Sequence, residues 1–152
     1  MMRLTQRESL QITMKQTPIS AFETTSGMLY FARMLAKIHI HARGELREDF
    51  IENLGGGLDA RCSDFLRVSY AEITKRTLEG GTPEEILAWC FDQGRALDEN
   101  DILIWNHFVS KLGWNDHVSQ LLERRKAEIH LSERDEIKTM LEYFEYDEGR
   151  KS

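Results

Sequence analysis

The stretch ENLGGGLDARCSDF, Glu52 to Phe65, gathers residue types that chemistry often uses. Three consecutive glycines allow backbone amides to approach a phosphate closely. A carboxylate, Asp59, and one of two cysteines, Cys62, follow. A phosphate cradle also needs a strand before it, a helix after it and a Lys-Ser or Lys-Thr pair at its end. Here the preceding segment reads as helix and no lysine follows. A carboxylate at the start of the next helix also repels a phosphate. The glycines therefore read as a helix stop and a tight turn, where positive φ is needed. Asp59 keeps two readings: the N-cap of the next helix, or an acid, base or ligand-anchoring carboxylate.

Other candidates lie further along. In IWNHFVSKLGW, Ile104 to Trp114, Trp105 falls in an apolar arc and Asn106 at its edge. A polar amide beside a buried indole costs about 1–3 kcal/mol if it finds no partner. It is either a helix-to-helix hydrogen bond or a ligand contact on a pocket wall. His39 sits near the middle of an apolar helical arc. It reads as a neutral core histidine or as a site residue, since a buried imidazole titrates easily. The closing EYDEGR carries Asp147, Glu148 and Arg150, solvated or folded back onto Lys37 or Arg33.

Several chemistries are excluded. His39 and His41 are two apart, so on a helix they point about 200° from each other. HExxH, Glu-x-x-His and an EF-hand loop are all missing. No metal and no cofactor are expected. GxSxG is missing, and neither Cys62 nor Cys90 sits in a basic setting, so both read as small core thiols.

The elements that must position these groups are helices. From about Ser26 to Arg43, Met28, Phe31, Ala32, Leu35, Ala36, Ile38 and Ala42 form a wide apolar arc, with Arg33, Lys37 and His41 opposite. Gly44 stops this helix. A short helix over ELREDFIEN follows, then one carrying Cys62, Leu66, Tyr70 and Ile73 that breaks near Ser69. TPEEILAWC starts another, with Thr82 capping, Pro83 at the first position and Glu85 completing a capping box. Asp98 caps the next, and Gly113 stops it. Asn115 and Ser132 start the last two. The reading is all-α, a compact irregular bundle of about six or seven helices. Residues 1–17 read as a loose N-terminal arm and 18–152 as one helical domain. The one strand-like run is the ambiguous KIHIHA.

The bulk numbers agree. The chain has 152 residues, 41% hydrophobic and 30% charged, which suits a single globular domain. Its net charge of −6 argues against a nucleic-acid partner, which needs a basic surface. The longest basic run, Arg124–Lys126, reads as a solvated helix face. No apolar run reaches membrane-spanning length, so no membrane partner is expected, and two unpaired cysteines suit the cytoplasm.

FARMLAKIHIHARGEL, NLGGGLDARCSDFLRVSY, EGGTPEEILAWCF, DILIWNHFVSKLGWND and TMLEYFEYDEGR occur in that order. Together they resemble a bacterial family of small single-domain proteins known only as a domain of unknown function. The resemblance spans roughly Thr17 to Arg150. It implies a bacterial cytosolic setting but no activity, cofactor or substrate. The family pattern includes Lys37, Gly55, Gly57, Asp59, Trp105, Asn106, Asp147, Glu148 and Arg150. Polar members of that set raise the prospect of a shared site. The position of His39 is more often arginine in the family, which weighs against a histidine mechanism.

Three functions remain, one of them a purely structural subunit of a larger assembly. The preferred one is a non-enzymatic module that binds a protein partner or a small molecule. An adaptor surface would present exposed aromatics, with Tyr30, Trp114 and Tyr146 as candidates. The alternative is a small-molecule enzyme with a pocket between helices, using Asp59, Asn106 and Lys37. Candidate ligand-binding residues are Lys37, His39, Asp59, Trp105, Asn106 and Arg150.

Overall fold

The computed structural model describes residues 15–152. Of the expected arm, only Lys15–Thr17 fall within it, and residues 1–14 lie outside the described residues. Gln16 pairs with the segment around Leu46: its N–H donates to Glu45 O (2.7 Å), and its own carbonyl accepts from Arg47 N (2.9 Å).

Eight helices occur among the described residues, more than the six or seven expected. They are α1 (Phe31–Ala42), α2 (Glu48–Ile51), α3 (Gly57–Leu66), α4 (Tyr70–Leu78), α5 (Pro83–Gln93), α6 (Glu99–Lys111), α7 (Ser119–Glu128) and α8 (Met140–Asp147). KIHIHA is helical, within α1. The fold also contains a small hairpin, β1 (Thr24–Thr25) with β2 (Met28–Leu29), where the sequence pattern predicts the first turn of α1. Ser26 (φ 48°) and Gly27 (φ 83°) form its turn. Positive φ at both central residues gives the twist that a two-residue hairpin needs.

The hairpin wins over helix because α6 grips its backbone. Trp105 Nε1 donates to Leu29 O (2.9 Å), Leu29 N–H donates to Asn106 Oδ1 (3.0 Å), and Asn106 Nδ2 donates to Gly27 O (2.8 Å). Local periodicity yields here to tertiary hydrogen bonds.

Caps set most other boundaries. Ser69 caps α4 and accepts Glu72 N, after Arg67 leaves α3 in the left-handed region. Thr82 caps α5, with Pro83 at its first turn. Asp98 and Asp101 form a reciprocal capping box on α6. The last two helices begin later than predicted. Asn115 has φ 48°, and Asp116 holds a loop by accepting from Gly113 N and Val118 N, so α7 starts at Ser119. Ser132 precedes a run of turns, and Thr139 caps α8 instead.

Helix α1 packs against α4 and α5, and α6 against β2 and α8. Their shared core includes Met28, Phe31, Met34, Leu66, Ile73, Ile86, Trp105 and Leu141. A second core joins α7 and α8 through Leu112, Leu122, Ile137, Met140 and Tyr143.

The polar face expected on α1 is largely covered. Arg33 and Lys37 are buried, while His41 is exposed. Lys126 also departs from its expected solvated face: it is buried and donates to Ile137 O (3.2 Å). A buried cation needs partners, and the chain end supplies those of Arg33. Glu148 accepts two bonds from its guanidinium, at 2.7 and 2.6 Å. Phe144 lies beneath, 4.5 Å from guanidinium carbon to ring centre. Arg150 then bonds Glu148, Glu145 and Pro18 O. The tail folds back onto Arg33.

Glu148→Ala leaves Arg33 buried without its carboxylate. It should cost about 3–5 kcal/mol, read from the urea midpoint at unchanged slope. Arg33→Met with Glu148→Leu should cost clearly less, because neither charge remains.

Candidate functional site

Tyr30, Arg33 and Lys37 are spaced i, i+3 and i+7, so they share one side of α1. Opposite them, the glycines and α3 bring in Asp59. Gly56, without a side chain, is the N-cap of α3. Asp59 is therefore not the N-cap but the third helical residue, fully buried. Its Oδ2 accepts the Gly55 N–H (3.1 Å), which ties the glycine turn to the helix it precedes. Gly55, at φ 77°, takes a conformation that disfavours side chains.

The three groups meet within hydrogen-bond reach. The Tyr30 hydroxyl donates to Asp59 Oδ1 (2.6 Å). The Lys37 ammonium donates to Asp59 Oδ2 (2.8 Å) and to the Tyr30 hydroxyl (3.0 Å). An ammonium has three N–H donors, and Asp59 Oδ1 also stands 2.8 Å from Lys37 Nζ, so both carboxylate oxygens face the ammonium. Burial pulls Lys37 below its ordinary pKa, while the Asp59 carboxylate acts in the opposite direction. Burial and the neighbouring Asp59 push Tyr30 up. Tyr30 also has φ 76° and ψ −31°. A bulky residue there costs about 1–3 kcal/mol and persists only where its surroundings fix it. The two bonds to its hydroxyl are such a constraint.

Above this cluster lies a cavity of about 610 Å³ between α1, α2, α3, α6, α7 and α8. Tyr30 and Lys37 line it; Asp59 stands behind them. Leu58, Leu112, Val118, Leu121, Met140 and Phe144 give it apolar walls. Its lining holds five cations (Arg33, Lys37, Arg47, Arg61 and Arg125) and three carboxylates (Asp49, Glu128 and Asp147), although the chain is net negative. Arg47 is committed to Asp49 and Asp147, and Arg125 to Glu128. Arg61 is exposed and has no carboxylate partner among the described residues.

The predicted residues divide. Lys37 and Asp59 come together. Trp105 and Asn106 clamp the hairpin, and Asn106 does not line this cavity. The constellation of Asp59, Asn106 and Lys37 is thus not assembled. Trp105 instead lines a shallower groove with Phe65 stacked at 5.1 Å and Arg67 and Arg95 nearby. His39 is half-buried and lines neither space. Arg150 braces the tail. The proposed cluster of exposed aromatics is not present: Tyr30 is buried, Tyr146 half-buried under Arg134, and Trp114 exposed. Tyr30 and Arg61 were missed as site residues. The i, i+3, i+7 spacing of Tyr30, Arg33 and Lys37 was the available signal, and nothing local marks Arg61.

Among the described residues, no three of His, Cys, Asp and Glu gather as metal ligands. Among the described residues, no helix is long and apolar enough to cross a membrane. Cys62 and Cys90 are free and buried.

Asp59→Ala leaves Lys37 buried and unpaired, and should cost about 3–5 kcal/mol in urea denaturation. Alkaline pH should destabilise the protein through the thiols. Burial pushes Cys90 from the ordinary 9.0 up to about 12, and Cys62 up as well. Above pH 9 the unfolded thiols lose protons that the folded ones keep. Their contribution is therefore full below the unfolded pKa and is lost as pH rises toward about 12. Cys62→Ala with Cys90→Ala should flatten this fall, measured as unfolding free energy between about pH 8 and about pH 10.

A search of curated proteins gave no match, and a search of solved structures gave none either. The family described as Domain of unknown function (DUF5069) matches residues 15–150, nearly the whole length. The chain, with its buried Tyr30–Lys37–Asp59 cluster, is a member of that domain family of unknown function.

Proposed function

We propose that the protein is a binding module for a small organic anion, held in the cavity over Lys37. One observation carries the reading: a buried lysine, its ammonium fixed by Asp59 and Tyr30, lines an apolar-walled cavity. A donor fixed before the ligand arrives loses little freedom on binding. Cations at the wall favour an anion, and Arg61 is free of any carboxylate among the described residues. The apolar walls call for a hydrocarbon or aromatic body attached to the charged group. The volume, about 610 Å³, lies in the range of small-molecule sites. The aromatics expected of an adaptor surface are dispersed, so a small molecule is favoured over a protein partner.

A second reading, catalysis in the same cavity, draws on the contact between a hydroxyl, an amine and a carboxylate, which can pass protons among themselves. It needs Tyr30 where the sequence suggested Asn106.

Benzoate, hexanoate and phenyl phosphate test the binding reading in a thermal-shift assay, with benzyl alcohol as the neutral control. An anion at 100 times its Kd adds about 2.7 kcal/mol, a rise of several degrees for a domain of this size. Arg61→Ala should weaken binding at least several-fold by calorimetry and leave Tm nearly unchanged. If no anion raises Tm, or benzyl alcohol does as well as benzoate, the reading fails.

A further inference from the structure

We infer that Lys37 captures 2-oxo acids covalently, as an imine between its Nζ and the ligand's keto carbon. The inference rests on the anion-binding reading and names the ligand class. A 2-oxo acid carries a carboxylate next to an electrophilic carbonyl. The cavity offers cations for the first and an amine for the second.

Four features favour this chemistry over a plain ion pair. Lys37 lines a cavity, with 8% of its side chain accessible. A proton acceptor, Asp59, stands 2.8 Å from Nζ, and a hydroxyl, Tyr30, stands 3.0 Å from it. Tyr30 holds that hydroxyl in place on a left-handed backbone, a strained arrangement of the kind found at functional sites. Burial also favours the neutral amine, the form that attacks carbonyls.

The step balances within these groups. Asp59 takes one proton from the ammonium. The freed lone pair attacks the keto carbon, a C–N bond forms, and the π pair moves to oxygen. Tyr30 gives that oxygen its proton and regains one from the nitrogen. The nitrogen lone pair then expels the hydroxyl, which leaves as water with the proton held by Asp59. One N–H remains on a protonated imine. Ammonium and ketone have become iminium and water, and no oxidant or reductant is needed.

Borohydride trapping reads the imine directly. The full chain is incubated with phenylpyruvate, treated with borohydride and digested for peptide mass spectrometry. A reduced adduct should appear on Lys37 and not on exposed Lys75 or Lys151. Excess benzoate should suppress it. Tyr30→Phe, which keeps the ring and loses the hydroxyl, should lower the yield at least tenfold while circular dichroism reports a folded chain. Lys37→Arg should abolish it. An unmodified Lys37 overturns the inference, as does equal labelling of Lys75 and Lys151. The Tm response to benzoate in the same preparation separates the two readings. A rise without an adduct removes the imine and leaves the cavity. No rise and no adduct removes both.

Discussion

The ionic contact between Lys37 and Asp59 is the constraint around which this fold is arranged. Both side chains are nearly or fully inaccessible. Each alone would be costly to bury, and together they need good geometry and further hydrogen bonds to offset lost hydration. Those bonds come from Tyr30 and from the Gly55 amide. One contact therefore fixes three things: the packing of α1 on α3, the glycine turn before α3, and the backbone of Tyr30 where the hairpin hands over to α1. A hydrophobic trio of similar volume would pack with less electrostatic cost. The hypothesis that the polar trio is kept for chemistry at the cavity accounts for that choice.

A second ionic clasp acts on the same helix. Arg33, one turn before Lys37, is sandwiched near Phe144 and Phe50 and bridged to Glu148, while Arg47 is tied to Asp147. These contacts bring the end of α8 against α1 and α2 and complete the cavity wall. Two carboxylates close to the chain's end thus have structural work far from their sequence neighbours. The cavity depends on long-range charge pairing as much as on apolar packing.

That division explains what could be read from the sequence. Thr82–Pro83, Asp98, Ser69 and the stopping glycines act within a few residues, so their caps and breaks were legible. The all-helical character followed from periodicity. The hairpin did not, because bonds from Trp105 and Asn106, some 77 positions away, hold it. Asn106 looked like a pocket residue for a sound reason, since its amide needs partners; those partners proved to be backbone atoms. Lys37 and Asp59 were both singled out. The spacing of Tyr30 to Lys37 was a signal that it joins them, but its left-handed backbone had none. Arg33 and Lys37 looked solvated because a helical wheel cannot show that a distant tail or a neighbouring helix covers them.

The most direct test of the central claim is the side-chain amine resonance of Lys37 in heteronuclear NMR, followed through a benzoate titration. The account predicts a slowly exchanging signal in the free protein, since Tyr30 and Asp59 accept hydrogen bonds from the ammonium. It predicts that this signal moves in step with the Gly57 and Leu58 amides, which belong to the cavity lining, as benzoate is added. Saturating shifts confined to exposed lysines, with Lys37 unmoved, would contradict it.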